Sequence, residues 1–295
     1  MTDRVAVIGL GLMGGTFSQH FLDDGLEVVG YDPDPDRRAE LQARGARVAE
    51  QIAACVADVD VVVLSLPNST IMLEVCNDIV ESGAKVLVID TTTGDPEDSL
   101  QAYGMLTASG SSYVDATVSG NAAQFAEKDV IFMIGGDATD VATATALLTP
   151  LGRHVYEVGP VASGSRAKLV VNHVLSVNRA AVAEGLAVAE KAGVDLDSML
   201  EILRDSAAYS KAMDIWGDRM VAADHYPPAS RVRQSNKDSR LINGHAESVG
   251  AAHDLVAVVK DYLTEAEETG LADADNSSAI EVMRRRGGIG RIPLD

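Results

Sequence analysis

The sequence predicts an α/β chain in two parts: an N-terminal doubly wound sheet over residues 1–160, then an all-α C-terminal domain over residues 161–295, joined by a long interdomain helix. Three observations carry this expectation. Short runs of Val, Ile and Leu alternate with amphipathic stretches through the first 158 residues or so. That alternation stops at Gly159-Pro160. Beyond it no strand-like pattern returns, and apolar residues recur at helical spacing.

The strand-like runs are Val5–Ile8, Val28–Tyr31, Val61–Leu66, Val86–Ile89, Tyr113–Val114, Ile131–Ile134 and Val155–Val158. They are near-continuously apolar, as expected of strands in a parallel sheet covered on both faces. From Ser163 to Ala192 the pattern reads as one long helix, interrupted only by Gly185 and closed by Gly193. Asp195 or Asp197 would cap the next helix, where Leu196, Met199, Leu200 and Leu203 share a face. Further helices are expected over 210–222, 236–249, 254–269 and 276–286. A loop is expected over Ala223–Gln234, around Pro227-Pro228. A loose tail should run from Arg284 to Asp295, where Gly287, Gly288, Gly290 and Pro293 disfavour helix.

Composition narrows the partners. A net charge of −20 repels polyanions, so nucleic acid is an unexpected partner. No apolar run reaches the roughly 18 residues of a membrane helix, and Met1-Thr2-Asp3-Arg4 does not open a signal peptide. Cys55 and Cys76 lack metal-ligand spacing and read as reduced thiols of a cytoplasmic protein; no metal is expected. With only 7 lysines in so acidic a chain, a lysine inside a motif carries unusual information.

The first motif opens the chain. Val5–Ile8 runs into Gly9-Leu10-Gly11-Leu12-Met13-Gly14, a G-x-G-x-x-G between a strand and a helix from Gly15 to Asp24. Gly9 permits the tight turn, Gly11 lets backbone approach a pyrophosphate, and Gly14 lets helix and strand pack closely. This is the Rossmann dinucleotide fingerprint. Asp32 ends the second strand, 18 residues beyond Gly14, where a carboxylate accepts hydrogen bonds from ribose hydroxyls and repels a 2′-phosphate. NAD is therefore favoured, with NADP left open by Arg37 and Arg38. Two later strand ends, Leu64 to Asn68 with Leu66 and Pro67, and Asp90 to Thr93, should also face the cofactor or cap the following helices.

Further motifs follow in order: Asp115 to Gly120, Gly135-Gly136-Asp137, Gly164 to Asn172, Glu184 to Gly193, Lys237-Asp238, and Gly270 to Ile280. Taken together, the chain resembles the β-hydroxyacid dehydrogenase family, that of 3-hydroxyisobutyrate dehydrogenase and tartronate semialdehyde reductase, with 6-phosphogluconate dehydrogenase a larger relative. The resemblance implies hydride transfer between the cofactor and a small β-hydroxy acid, with Lys168 as general acid and base and Asn172 supporting it. Four apart on a helix, the two project from one face. Desolvating a lysine brings its pKa toward working pH, so that it can take a hydroxyl proton and return it to a carbonyl. Ser119 and Gly120 offer a hydroxyl and backbone N–H groups to the substrate's acid group. Lys237 is implied to reach both cofactor and substrate. Packing of the Ala-rich helices across a dimer or tetramer is implied as well.

Three departures mark this chain. Asn121 replaces a second glycine, Val171 replaces an asparagine, and Ser230 to Ser235 replaces an apolar stretch opened by Phe. They suggest a more polar pocket for a hydroxylated or doubly anionic small substrate, with Asn121, His173, Tyr209, Ser210, Arg231 and Arg233 as candidate lining. Two rival readings are an imine reductase-like NADPH enzyme, disfavoured because an ammonium at 168 is a poor partner for an iminium, and a non-catalytic dinucleotide-binding protein, which would need none of Ser119, Lys168 and Asn172.

Overall fold

A computed structural model describes residues 3–289. The expectations placed on Met1, Thr2, Gly290 and Pro293 lie outside the described residues. The chain divides into two compact units, Met1–Lys168 and Leu169–Asp295. The first unit contains β1 (Arg4–Ile8), α1 (Leu12–Asp23), β2 (Glu27–Tyr31), α2 (Pro35–Ala43), β3 (Arg47–Val48), α3 (Ile52–Val56), β4 (Val61–Leu64) and α4 (Ser69–Ser82). It continues through β5 (Leu87–Asp90), α5 (Pro96–Ser109), β6 (Ser112–Ser119), α6 (Ala122–Ala126), β7 (Ile131–Gly135), α7 (Ala138–Leu148) and β8 (His154–Gly159). Helix α8 (Ser163–Lys191) then begins, and it crosses into the second unit.

The sheet has the order β3-β2-β1-β4-β5-β6-β7-β8. Successive residues of β1, β2, β4 and β5 enter different cores, which is why these strands read as continuous apolar runs, whereas β8 is mostly exposed despite its apolar residues. Val5, Val7, Val63 and Ile89 pack with Phe17, Phe21 and Phe125 on one face. Ala6, Ile8, Val62 and Val88 pack with Met72, Ile79 and Leu106 on the other. The sheet is not parallel throughout: β6 and β7 are antiparallel, with Asp115 opposite Gly135 and Ser119 opposite Ile131. The segment from 120 to 130 that joins them is shorter than a crossover requires, so the chain turns back. Strand β6 is also longer than Tyr113–Val114, and β3, only two residues, left no periodic trace.

The unit boundary falls inside α8 rather than at residue 160 because the helix start is fastened to the sheet. Both oxygens of Asp115 accept backbone N–H groups, Oδ1 from Ala162 at 2.8 Å and Oδ2 from Ser165 at 2.7 Å. The Thr117 hydroxyl donates to Gly164 O at 2.8 Å, and the Ser99 and Ser165 hydroxyls meet at 3.0 Å. Burial, outweighing these N–H donors, raises the Asp115 pKa to about 7. Burial likewise raises Asp90 to about 6, against hydrogen bonds from Thr92 and Tyr113. Both folded-state values lie above the unfolded carboxylate range of about 4. Their stabilising contribution is therefore complete below about pH 4 and lost as pH rises through about 6 and then 7. Thermal unfolding between pH 5 and 8 should show a midpoint falling with pH, and Asp90→Asn should flatten that fall. A slope left unchanged in the variant would remove Asp90 from the account.

Two sulfurs sit in the same unit. Cys55 and Cys76 are buried and unbridged. Burial pushes the Cys55 thiol up to about 12, and burial with the Asp90 charge pushes Cys76 higher still.

The second unit adds α9 (Leu196–Asp205), α10 (Asp218–Ala222), α11 (Val232–Ser248), α12 (Asp254–Ala266) and α13 (Ala279–Arg286) to the rest of α8. Its core joins Leu186, Leu200, Trp216, Met220, Ile242, Tyr262 and Ile280. Asp195, not Asp197, caps α9, accepting from Ser198 N–H at 2.9 Å. Two π-helical turns, Met213–Gly217 and Glu267–Leu271, interrupt the expected helices. The loop ends at Arg231, before the expected position, because Val232 and Arg233 N–H groups donate to Ala274 O and Ala272 O. Among the described residues no helix is long and apolar enough to cross a membrane.

Arg284 corrects the expectation of a loose tail. It lies within α13, buried, with Nε 2.6 Å from Glu190 Oε2 and Nη1 2.6 Å from Glu281 Oε1. His225 Nε2 lies 3.2 Å from the same Glu281 oxygen, and its Nδ1 lies 2.9 Å from Ser277 Oγ. Burial acts to raise the Glu281 pKa, but His225 and Arg284 outweigh it and hold the carboxyl low. Arg284→Met removes the buried cation shared by Glu190 and Glu281, so it should destabilise the protein by about 3–5 kcal/mol. Urea denaturation reads this directly, and a loss below about 1 kcal/mol, the value of an exposed pair, would refute it.

Candidate active site

The β1–α1 turn has little room. Gly9 has φ +89° and donates to Tyr31 O at 2.8 Å; a Cβ there would overlap Ser65 O. A Cβ on Gly14 would overlap the Gly9 carbonyl oxygen. Gly11 is the N-cap of α1 with no side-chain cap, and no acid stands in the first turn. The leading N–H groups thus point at an uncapped end, the arrangement that receives a phosphate. Leu12 is exposed beside it, and Met13 packs against the core. Asp32 is buried with Oδ2 accepting from Leu10 N–H at 2.7 Å and Oδ1 from Asp34 N–H at 2.9 Å. The turn therefore sets the direction of the carboxylate. These residues fit a dinucleotide.

The two arginines that left NADP open are both drawn to this acid. Arg37 Nη1 lies 3.6 Å from Asp32 Oδ2, and Arg38 Nη1 donates to Asp32 O at 2.6 Å and Pro33 O at 3.2 Å. At the next strand ends, Leu66 N–H donates to Thr92 Oγ1 at 3.3 Å, tying β4 to β5. Thr91 Oγ1 donates to Leu64 O at 2.7 Å. Pro67 is exposed, Thr93 is half-buried, and Asn68 caps α4 through Ile71 N–H at 3.0 Å.

Ser119 closes β6, and Gly120 follows exposed with φ +146°. Asn121 belongs to α6 first: its Oδ1 accepts from Gln124 N–H at 2.9 Å while Gln124 Oε1 accepts from Asn121 N–H at 3.0 Å, a closed capping box. Lys168 stands half-buried in the second turn of α8, just beyond the segment that Asp115 secures.

In the second unit, Asn172 Nδ2 donates to Asp238 Oδ2 at 3.0 Å, and Lys237 Nζ lies 3.2 Å from Asp238 Oδ1. One carboxylate thus orients the amide and neighbours the ammonium. His173 is half-buried, and its carbonyl accepts from Ser176. The Tyr209 hydroxyl donates to Asp214 at 2.6 Å, while Ser210 is a buried hydroxyl without a partner among the described residues. Arg231 and Arg233 are exposed and paired with Asp273, which makes them solvated flanks of α11 rather than cations of a pocket.

Sequence reasoning passed over Asp115 and Asp238 although both lay inside quoted motifs. Their side chains act on α8 from 50 and 66 residues away in the chain, and no local pattern reports that.

Residues 4–159 match the NAD binding domain of 6-phosphogluconate dehydrogenase, and residues 162–283 match the domain described as NAD-binding of NADP-dependent 3-hydroxyisobutyrate dehydrogenase. The chain belongs to the β-hydroxyacid dehydrogenase family. A probable 3-hydroxyisobutyrate dehydrogenase of Mycobacterium bovis is 28% identical, with 96% of this chain and 98% of that one covered. A 2-(hydroxymethyl)glutarate dehydrogenase of Eubacterium barkeri is 25% identical, covering 97% and 96%. The solved 3-hydroxyisobutyrate dehydrogenase of Mycobacterium tuberculosis with L-serine shares 27% identity at a TM-score of 0.89, covering 96% and 100%. This β-hydroxyacid dehydrogenase is an NAD(P)-dependent oxidoreductase acting on the CH–OH group of small hydroxy acids.

Proposed function

We propose that Lys168 moves the proton in this oxidation, with Asn172 holding the substrate hydroxyl, Ser119 and Gly120 receiving the acid group, and NAD preferred over NADP. The observation that carries the reading is the shared face of α8: Lys168 and Asn172 project together, and Asp238 fixes the Asn172 amide at 3.0 Å. The nicotinamide, when bound, supplies the hydride acceptor in oxidation and the donor in reduction. Lys168 Nζ takes the hydroxyl proton in one direction and returns it to the carbonyl oxygen in the other. Asn172 Nδ2 gives one hydrogen to Asp238 and offers its second to the hydroxyl oxygen, which leaves the hydroxyl proton directed at Lys168. The Gly9 to Gly14 turn, with Leu12 and Met13, receives the pyrophosphate; Leu66, Pro67 and Thr93 form the far edge of the cofactor seat. Lys237 reaches the same ligands from α11.

Asp32 supports NAD, because a fixed carboxylate accepts from a 2′-hydroxyl and repels a 2′-phosphate. Arg37 and Arg38, drawn onto Asp32, are poorly placed to reverse that preference. The Mycobacterium bovis relative is named for a substrate with one carboxylate and the Eubacterium barkeri relative for one with two. Absorbance at 340 nm, followed with NAD and NADP against a set of β-hydroxy acids, tests both parts. NAD should give at least 10-fold higher kcat/KM; equal use of NADP would sink the Asp32 argument, and no turnover would sink the reaction.

Self-association is part of the reading. Val170, Val174 and Val188 on α8 and Leu255 and Val258 on α12 are exposed large apolar side chains, the kind that a second copy covers. A monomer mass by light scattering would contradict it. The two unbridged thiols fit a reducing cytoplasm.

A further inference from the structure

Helix α8 begins without a cap of its own. Ala162 stands just before its first residue, and the Ala162 carbonyl accepts the first helical N–H, that of Arg166, at 3.0 Å. Alanine has no side-chain oxygen to offer the leading N–H groups, and it is a poor residue for that position. Asp115 does this work from strand β6, 47 and 50 residues away in the chain. Its Oδ2 accepts from Ser165, the third residue of the helix, as a local capping Asp would, and its Oδ1 accepts from Ala162 itself. Ala162 is moreover held at φ +72°, in the left-handed region that alanine avoids. Backbone strain of this kind persists only where the surroundings over-determine it, and it clusters at functional sites. Here the surroundings are tight. A Cβ on Gly164 would overlap Met133 O and lie 2.7 Å from Asp115 O, so the first turn of α8 sits directly on the backbone of β6 and β7.

The same strand ties this clamp to the reacting end. Side chains alternate along a strand, so Asp115, Thr117 and Ser119 share one face of β6. Asp115 holds the N–H groups at the α8 start, and the Thr117 hydroxyl donates to Gly164 O at 2.8 Å. Ser119, next on that face, is the residue assigned to the acid group. On the helix, Lys168 follows Gly164 by four residues, which places it one turn on and on the face that Gly164 presses to the sheet. Three hydrogen bonds from β6 to one helical turn thus set the register between the proton-transfer group and the acid seat.

We propose that Asp115, assisted by Thr117, is a positioning residue for the reaction: it caps α8 from β6, holds Ala162 in its left-handed conformation, and so fixes the height and rotation of Lys168 against Ser119. This rests on the assignment of proton transfer to Lys168.

Asp115→Asn removes one acceptor and keeps the shape of the side chain. It should lower kcat for 3-hydroxyisobutyrate, or for 2-(hydroxymethyl)glutarate where that turns over faster, by about 10- to 100-fold, the cost of misplacing a reacting group by about 1 Å. NADH affinity, read by fluorescence titration, should hold. Adding Ala162→Gly supplies a residue that adopts φ +72° freely, so it should restore about 3-fold or more of the lost kcat. In a Lys168→Ala background, Asp115→Asn should change kcat by less than about 2-fold, because residues that act as a unit do not lose activity additively. A carboxylate that only stabilises the fold would instead give less folded enzyme with kcat per folded molecule intact. Wild-type kcat in Asp115→Asn overturns the proposal, as does a full further loss in the Lys168→Ala background or no recovery with Ala162→Gly. Near-normal turnover of Lys168→Ala by itself sinks the proton-transfer assignment, and the proposal with it. Should Asp115→Asn not fold, Thr117→Val takes its place, with an expected kcat loss of about 3- to 10-fold that vanishes in the Lys168→Ala background; an unchanged kcat there overturns the proposal.

Discussion

Lys168→Ala should lower kcat by about 10²- to 10⁴-fold, the range for removing a positioned proton-transfer group, while NAD(P) still binds. The separation of the two effects follows from where the residues lie. The cofactor cradle is built from Gly9, Gly11, Gly14 and Asp32, and its hydrogen bonds run among β1, β2 and α2. Lys168 lies in the second turn of α8, whose start Asp115 holds by Ala162 and Ser165 N–H groups, so shortening its side chain leaves that anchor intact. Lys168→Arg should fare little better, because a guanidinium does not release its proton at any working pH. Stopped-flow NADH binding beside steady-state turnover checks both halves. Near-normal turnover in the alanine variant would remove Lys168 from the chemistry.

Gly14→Ala should weaken cofactor binding by more than about 100-fold and destabilise the protein by on the order of 3 kcal/mol, the upper range for overpacking. The new methyl would overlap the Gly9 carbonyl oxygen and lie 2.9 Å from its carbon, and both atoms belong to backbone that cannot swing aside. Gly9 is itself pinned, because its position against Ser65 O and its φ of +89° leave the turn no slack. Gly15→Ala is the control. Its methyl meets nothing nearer than Leu10 O at 3.6 Å, and alanine favours the helix, so stability should hold. Fluorescence titration with NADH and thermal unfolding measure both variants. Wild-type affinity in Gly14→Ala would show that the close approach of α1 to β1 is dispensable.

Much of this was legible because it is written locally. Val and Ile runs mark β1, β2, β4 and β5, since each strand is covered on both faces. The glycines at 9, 11 and 14 carry their own steric logic, and α8 runs within a residue of its expected length. What escaped is what only a distant residue decides. Arg284, in a basic and glycine-flanked stretch, reads as solvated tail until Glu190 and Glu281 are found beside it. Asn121 reads only as a pocket residue, and its second task, closing the α6 cap with Gln124, shows in the hydrogen bonds alone. Arg231 and Arg233 lie about 40 residues from the Asp273 that holds them. The reversal between β6 and β7 could have been found by counting the residues between them.

The two deeply placed sulfurs have a practical consequence. With Cys55 near 12 and Cys76 above it, almost no thiolate exists at neutral pH, so alkylating reagents have no target in the folded chain. A cysteine engineered onto an outward-facing position such as Val249 would then take a fluorophore or spin label alone. Slow appearance of the native thiols to the same reagent would clock the opening of the helices that cover one side of the sheet.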